Sequence, residues 1–307
     1  MEARPGRGWP RAAALLGVVL ATSTSVVQPG VLIAVPLLVL LIAHGPRRVG
    51  PIAGVVLAGV VVAIGSRDGL WYAERAWAVL IGGGFLALSM ALPAWSLSAR
   101  AIGAVAGATG IAAAILSVRT DAWAALDSAI TVGVRASSDQ ALLTLQALGG
   151  ESASPQVRDA MERLAATQAA VFPAMIAIAS MAALGVAWWI RTRLVGEGDQ
   201  GLAPLRDFRF NDHLVWLLIG GLLLLFVQWG DAFARLGSNA IVFMAALYML
   251  RGAAVFVFLS GGLSMLGYAL MLVGLLVAAP VFMSMAVLIG VGDTWLDLRS
   301  RVRGLSA

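Results

Sequence analysis

The chain has no lysine and no cysteine, and only two histidines, His44 and His213. Without lysine there is no Schiff-base amine and no phosphate-loop lysine. Without cysteine there are no disulfides, thiol nucleophiles or thiolate metal sites. Two histidines, each beside a polar turn, do not make a histidine-rich metal site, and no metal or cofactor is expected. Charge is scarce as well: 12% of the 307 residues are charged and 60% are hydrophobic. Soluble domains are nearer half apolar and about a quarter charged, so this composition excludes a soluble enzyme and a disordered chain.

What remains is a multi-pass membrane protein. Nine apolar segments stand out: Ala12–Val27, Val31–Ala43, Pro51–Gly65, Trp77–Leu97, Ala101–Val118, Val171–Ile190, Leu214–Trp229, Asn239–Leu259 and Ser264–Gly290. A spanning helix needs roughly 20 apolar residues, whereas barrel strands alternate over about 10, so the expected fold is all-α. We expect a polytopic helical membrane protein with eight or nine transmembrane helices. It divides into an N-terminal bundle (1–118), a polar helical insert outside the membrane (119–170) and a C-terminal bundle (171–307).

All 21 basic residues are arginine, with a net charge of +5. Read as topology rather than as a nucleic-acid footprint, they place the N-terminus in the cytoplasm of a cell inner membrane. With the tail 291–307 counted inside, the pieces assigned to the cytoplasm hold 13 arginines in 61 residues, against seven in 75 outside, in the sense of the positive-inside rule. Nine crossings would leave Arg299, Arg301 and Arg303 outside, so one segment fails to cross, the last breaks at Pro280, or the tail is external. Trp9, Trp71, Trp77, Trp188, Trp189, Trp229 and Trp295 fall near segment ends, where amphipathic rings favour the headgroup level.

In the insert, Trp123, Leu126, Ile130 and Val134 recur at helical spacing. Ser154-Pro155 is a helix start, Ser as N-cap and Pro in the first turn. Val157, Met161, Leu164 and Ala165 then share one face of a helix that continues into the span from Val171.

Few residues carry chemistry. Gly290-Val291-Gly292-Asp293 matches the motif of intramembrane aspartyl proteases, but that reaction needs two carboxylates sharing a proton, and no second one is found. The simpler expectation is a glycine-rich helix end with Asp297 and Arg301 paired at i,i+4. Arg251 lies well inside an apolar span, where a charge costs roughly 2.5–3.5 kcal/mol unless it is paired or reaches water. It is a candidate ligand or gating residue, or else it snorkels or pairs with Asp231 or Asp293. Gly252 beside it allows a backbone or a ligand close. Small residues every four positions, Ala13, Gly17 and Ala21, form a candidate helix-docking face, and Gly103 and Gly107 repeat the pattern.

Three stretches carry a resemblance. They are Pro36-Leu37-Leu38 through His44-Gly45; Leu205-Arg206-Asp207-Phe208-Arg209-Phe210 before Leu214; and Leu288 through Asp293, Asp297, Leu298 and Arg299. Together with the insert they resemble the YybS-like family of uncharacterised bacterial multi-pass membrane proteins. That family is similar in fold to the substrate-binding S-components of energy-coupling-factor vitamin transporters. The resemblance implies a membrane transport subunit that docks a coupling subunit, with its ATPase, through Ala13, Gly17 and Ala21. The alternative is a non-transporting scaffold that recruits another envelope protein. Neither reading makes the chain an enzyme or a nucleic-acid binder.

Overall fold

The computed structural model describes residues 9–22, 27–44, six positions between 52 and 61, 69–147, 154–196, 202, 205–227, 229–260 and 265–305. Among them every regular element is helical, with no strand. Among the described residues three helices are long and apolar enough to cross a membrane, Leu97–Val118, Pro155–Val195 and Asp231–Leu259. Shorter apolar helical stretches are Arg11–Leu20, Pro29–Ala43, Asp212–Val227 and Pro280–Leu296. Most of the expected segment Pro51–Gly65, the arginines Arg4, Arg7, Arg47 and Arg48, and the side chains of Ala21, His44 and Arg303 lie outside the described residues.

The chain forms two compact units, Met1–Leu202 and Ala203–Ala307. The division therefore falls after residue 202, not at 118 and 170. The reason is that one helix runs unbroken from Pro155 to Val195, so the insert and the span after it are a single rod.

The first unit contains α1 (Trp9–Thr22), α2 (Pro29–His44), α3 (Gly69–Ala91), α4 (Leu97–Val118), α5 (Ala122–Ala147) and α6 (Pro155–Val195). Helix α6 begins as its sequence demands: the Ser154 hydroxyl accepts from the Val157 N–H at 3.4 Å, and Pro155 sits in the first turn. It ends at Gly196, whose left-handed φ of 75° costs glycine little. Its 41 residues rise about 1.5 Å each, well beyond the ~30 Å of a bilayer core.

The core of this unit is rich in alanine. Helix α4 buries Ala101, Ala104, Val105 and Ala108, the i, i+3, i+4, i+7 stripe, and α6 answers with Ala179, Ala182, Ala183 and Ala187. Small side chains let helix axes approach, and in lipid close contact replaces the hydrophobic drive that water would supply. Gly82 serves the same end, since a Cβ there would lie 3.0 Å from the Pro36 Cα of α2. Trp77 donates its indole N–H to the Ser180 hydroxyl at 2.9 Å, joining α3 to α6. Trp188 packs edge-on against Phe85 at 5.9 Å, with the Arg100 guanidinium 5.3 Å from the Trp188 ring. Trp77 and Trp188 are thus held by packing within the unit, not only by the headgroup layer. In α5, Leu126 is half-buried and Ile130 and Val134 are buried as their spacing predicts, but Trp123 is exposed. On the outer part of α6, Ala165 is buried and Met161 half-buried, while Val157 and Leu164 are exposed, so the expected four-residue face is only partly covered.

The second unit contains α7 (Val215–Val227), α8 (Asp231–Leu259), α9 (Met265–Leu296) and α10 (Leu298–Leu305), with two short 3-10 turns, Leu205–Asp207 and Asp212–Leu214, ahead of α7. Helix α8 packs against both α7 and α9. Glycine pairs set both crossings. A Cβ on Gly237 would lie 2.7 Å from the Gly221 carbonyl oxygen of α7. On the other side, a Cβ on Gly252 would lie 1.8 Å from the Ala286 oxygen, and one on Gly290 2.0 Å from the Tyr248 oxygen. Only glycine fits this second crossing. Helix α9 departs from helical geometry at Ala278 (φ −133°, ψ 41°), two residues before Pro280. Proline cannot donate the helical hydrogen bond and its ring strikes the preceding turn, so helix α9 kinks there.

Candidate functional site

Arg251 is 3% exposed in the middle of α8. Its Nε donates to Asp293 Oδ2 at 2.9 Å and one terminal nitrogen donates to the Asp293 backbone oxygen at 3.2 Å. The other terminal nitrogen donates to Asp212 Oδ1 at 2.5 Å. Asp293 is fully buried, and its Oδ2 accepts a second charged bond, from Arg299 at 2.8 Å. Of the two partners expected for Arg251, Asp293 is therefore the one that forms. Asp231 lies at the exposed start of α8, where a carboxylate favours the positive helix end. The backbone that reaches Gly252 is that of α9.

Arg299 is 1% exposed. One of its terminal nitrogens donates to the backbone oxygens of Arg206 and Phe208, both at 3.1 Å. What brings it back onto Asp293 is the turn at Asp297, whose φ of +38° ends α9 and redirects the chain into α10. Arg299 is thus not a freely hydrated, orientation-setting charge but part of the interior of the unit. Asp297 does not pair with Arg301 as its i,i+4 spacing suggested. It accepts from Arg209 at 2.8 Å, on an exposed surface. The Asp297 carboxyl is pulled below its ordinary range, first by a hydrogen bond from Ser300 and then by the charge of Arg209.

Aromatic rings close the cluster. Phe210 is buried edge-on against Tyr248 at 5.2 Å, and the Arg251 guanidinium lies 5.4 Å from the Phe210 ring. Two of the stretches singled out in the sequence, 205–210 and 288–299, therefore meet around Arg251. Asp212 was not singled out. Its only signal is its place in Asn211-Asp212-His213, where Asn211 accepts from the His213 N–H and caps the turn that holds Asp212. In electrostatic terms two buried guanidinium groups share one buried carboxylate, and the exposed Asp212 supplies the second negative charge. Such a network tolerates burial only while each charge keeps its partner.

A second buried ion pair lies in the first unit. Glu74 and Arg75, which fell in a predicted loop, sit inside α3 at 8% and 9% exposure. Arg75 donates to the Val61 carbonyl at 2.9 and 3.1 Å and to Glu74 at 3.3 Å, and stacks 3.8 Å over Trp71. Glu74 accepts from the Gln28 backbone N–H. Here the arginine is satisfied mainly by backbone. On α1, Ala12 and Val19 are buried and Leu15 packs against the core, whereas Ala13 and Gly17 face outward. Nothing lies within 4 Å of where a Gly17 Cβ would sit. The same is true of Gly107, but a Cβ on Gly103 would lie 2.9 Å from Leu88 Cδ1. Among the described residues no group of three or more His, Asp or Glu could hold a metal ion.

Residues 12–294 match the family described as Predicted membrane protein (DUF2232), and the chain belongs to that family. No curated protein and no solved structure matches it.

Proposed function

We propose that the protein is a non-catalytic subunit of a membrane complex, of the transport type that the resemblance of its sequence to YybS-like proteins and S-components implies. It would lie in a cell inner membrane with eight or nine crossings and a cytoplasmic N-terminus. The observation that carries the reading is the outward face of α1. Ala13 and Gly17 are left uncovered while the opposite side of the same helix packs within its own unit. A face of small residues in lipid admits another helix at close range and gains little from lipid tails. A coupling subunit, itself bound to an ATPase, is the partner that this resemblance implies.

Purification from native membranes in mild detergent tests this. A coupling subunit and an ATPase pair are expected to co-purify, and Gly17→Leu is expected to remove them without unfolding the chain. Absence of both from the wild-type preparation, or retention of both by Gly17→Leu, overturns the reading.

One observation favours a second reading, a scaffold that recruits another envelope protein. The insert exposes large apolar side chains, Trp123 at 53%, Val132 at 65% and Leu143 at 64%. Substituting Trp123, Val132 and Leu143 by serine together would then release an envelope protein while leaving any coupling subunit bound.

A further inference from the structure

The ion network of the second unit is asymmetric in a way that pairing alone does not explain. Its buried part, Arg251, Asp293 and Arg299, carries a net charge of +1. Balance depends on Asp212, whose side chain is 63% exposed while that of Arg251 is 3% exposed. Asp293 is held between two guanidinium groups and cannot leave without stranding both. Asp212 is held by one contact to Arg251 and by the short turn that bears it. One carboxylate is locked and the other is replaceable.

The surroundings indicate what would replace it. Trp216, four residues after Asp212, is 68% exposed, and Trp295, two residues after Asp293, is 67% exposed. Exposed tryptophans flanking an apolar helix mark the headgroup level of a bilayer. At the same end of the unit, Arg206 and Arg301 are exposed, and Arg299 Nε and Asp293 Oδ1 are both buried without a hydrogen-bond partner. A buried guanidinium reached from the headgroup layer, with further arginines on its rim, suits a tetrahedral oxyanion, because arginine binds phosphate through parallel N–H donors. Anionic lipid headgroups supply that chemistry at this depth, and soluble phosphate supplies it from water.

We propose that Arg251 is a phosphoanion-binding site at the membrane interface and that Asp212 is its built-in competitor, occupying the guanidinium until a phosphate displaces it. Arg299 and Asp293 hold Arg251 in place and do not exchange.

The test uses the full chain in detergent, titrated with dioctanoyl phosphatidylglycerol, dioctanoyl phosphatidylcholine or inorganic phosphate. Binding is read by native mass spectrometry and by the shift in unfolding temperature. Phosphatidylglycerol is expected to bind saturably and phosphatidylcholine much more weakly. Asp212→Asn, which leaves the Arg251–Asp293–Arg299 contacts intact, is expected to tighten binding about five- to tenfold, an ordinary coupling between two ligands competing for one charge. Asp231→Asn, which removes an exposed acid at the start of α8, about 30 Å from Arg251 along the helix, is expected to leave it unchanged. If inorganic phosphate reproduces the effect at equal concentration, the source is a soluble phosphoanion; if only phosphatidylglycerol does, it is the lipid headgroup. Equal binding of the two lipids by the wild type, or equal tightening by Asp212→Asn and Asp231→Asn, overturns the proposal.

Discussion

The two units solve one problem in different ways. Helices in lipid gain nothing from hiding apolar surface, so something else must hold them together. The first unit uses breadth: alanine stripes on α4 and α6, an indole–hydroxyl bond and edge-on aromatics spread contact over many residues. The second uses a few points of high consequence, the glycine crossings of α8 with α7 and α9 and one ion network that ties α8, α9, α10 and the 205–214 segment together. Distributed packing should yield gradually to substitution, whereas point fastening should fail at once.

The largest expected effect lies at the α8–α9 crossing. In Gly252→Leu a side chain must occupy space that the Ala286 carbonyl already fills, and the helices must part. A loss above about 4 kcal/mol is expected, in the range of the rare severe substitutions. Gly107→Leu in the first unit, where a Cβ meets nothing within 4 Å, should leave stability nearly unchanged. Detergent-resistant unfolding followed by limited proteolysis of each unit checks both, and equal behaviour of the two variants would remove the distinction between the units.

Next in size is Asp293→Asn. It leaves two buried guanidinium groups around a neutral amide and should destabilise the second unit by about 3–5 kcal/mol. Its counterpart in the first unit, Trp77→Phe, removes one neutral hydrogen bond to Ser180 and should cost about 1 kcal/mol. Denaturation midpoints in one detergent give the ratio.

The smallest effect concerns the rim of the network. Because the Asp297 carboxyl titrates below its unfolded value, its contribution is present above the ordinary carboxylate range and is lost as pH falls through the depressed folded value. Half-exposed as it is, the Arg209–Asp297 pair contributes little. Asp297→Asn should therefore melt slightly below wild type at neutral pH and coincide with it in acid. A difference that grows on acidification would reverse the sign argued here.

Much of this was legible in the residues themselves. Composition and the length of apolar runs require helices in lipid, because unpaired backbone groups cannot be left in hydrocarbon. Ser154 and Pro155 announce the start of α6, Pro280 announces the kink in α9, and Arg251 announces a need for a partner. Glu74 and Arg75 were missed because the polar and aromatic residues around them read as a loop, while their burial depends on the distant Gln28 and Val61. Arg299 stands in the sequence as a tail arginine and as the end of the motif with Asp293 and Asp297. Neither shows that it turns back into the interior, because the contacts that bury it are with the distant Arg206 and Phe208.

What the sequence alone determined is the class of the protein and the points of tension within it, since hydropathy, helix period and the cost of a lone charge in lipid are local properties. Which carboxylate answers Arg251, which glycines are obligatory and which arginine is interior were decided only by the tertiary structure. Those choices join residues about forty to ninety positions apart, and a contact between distant segments leaves no periodic mark in either one.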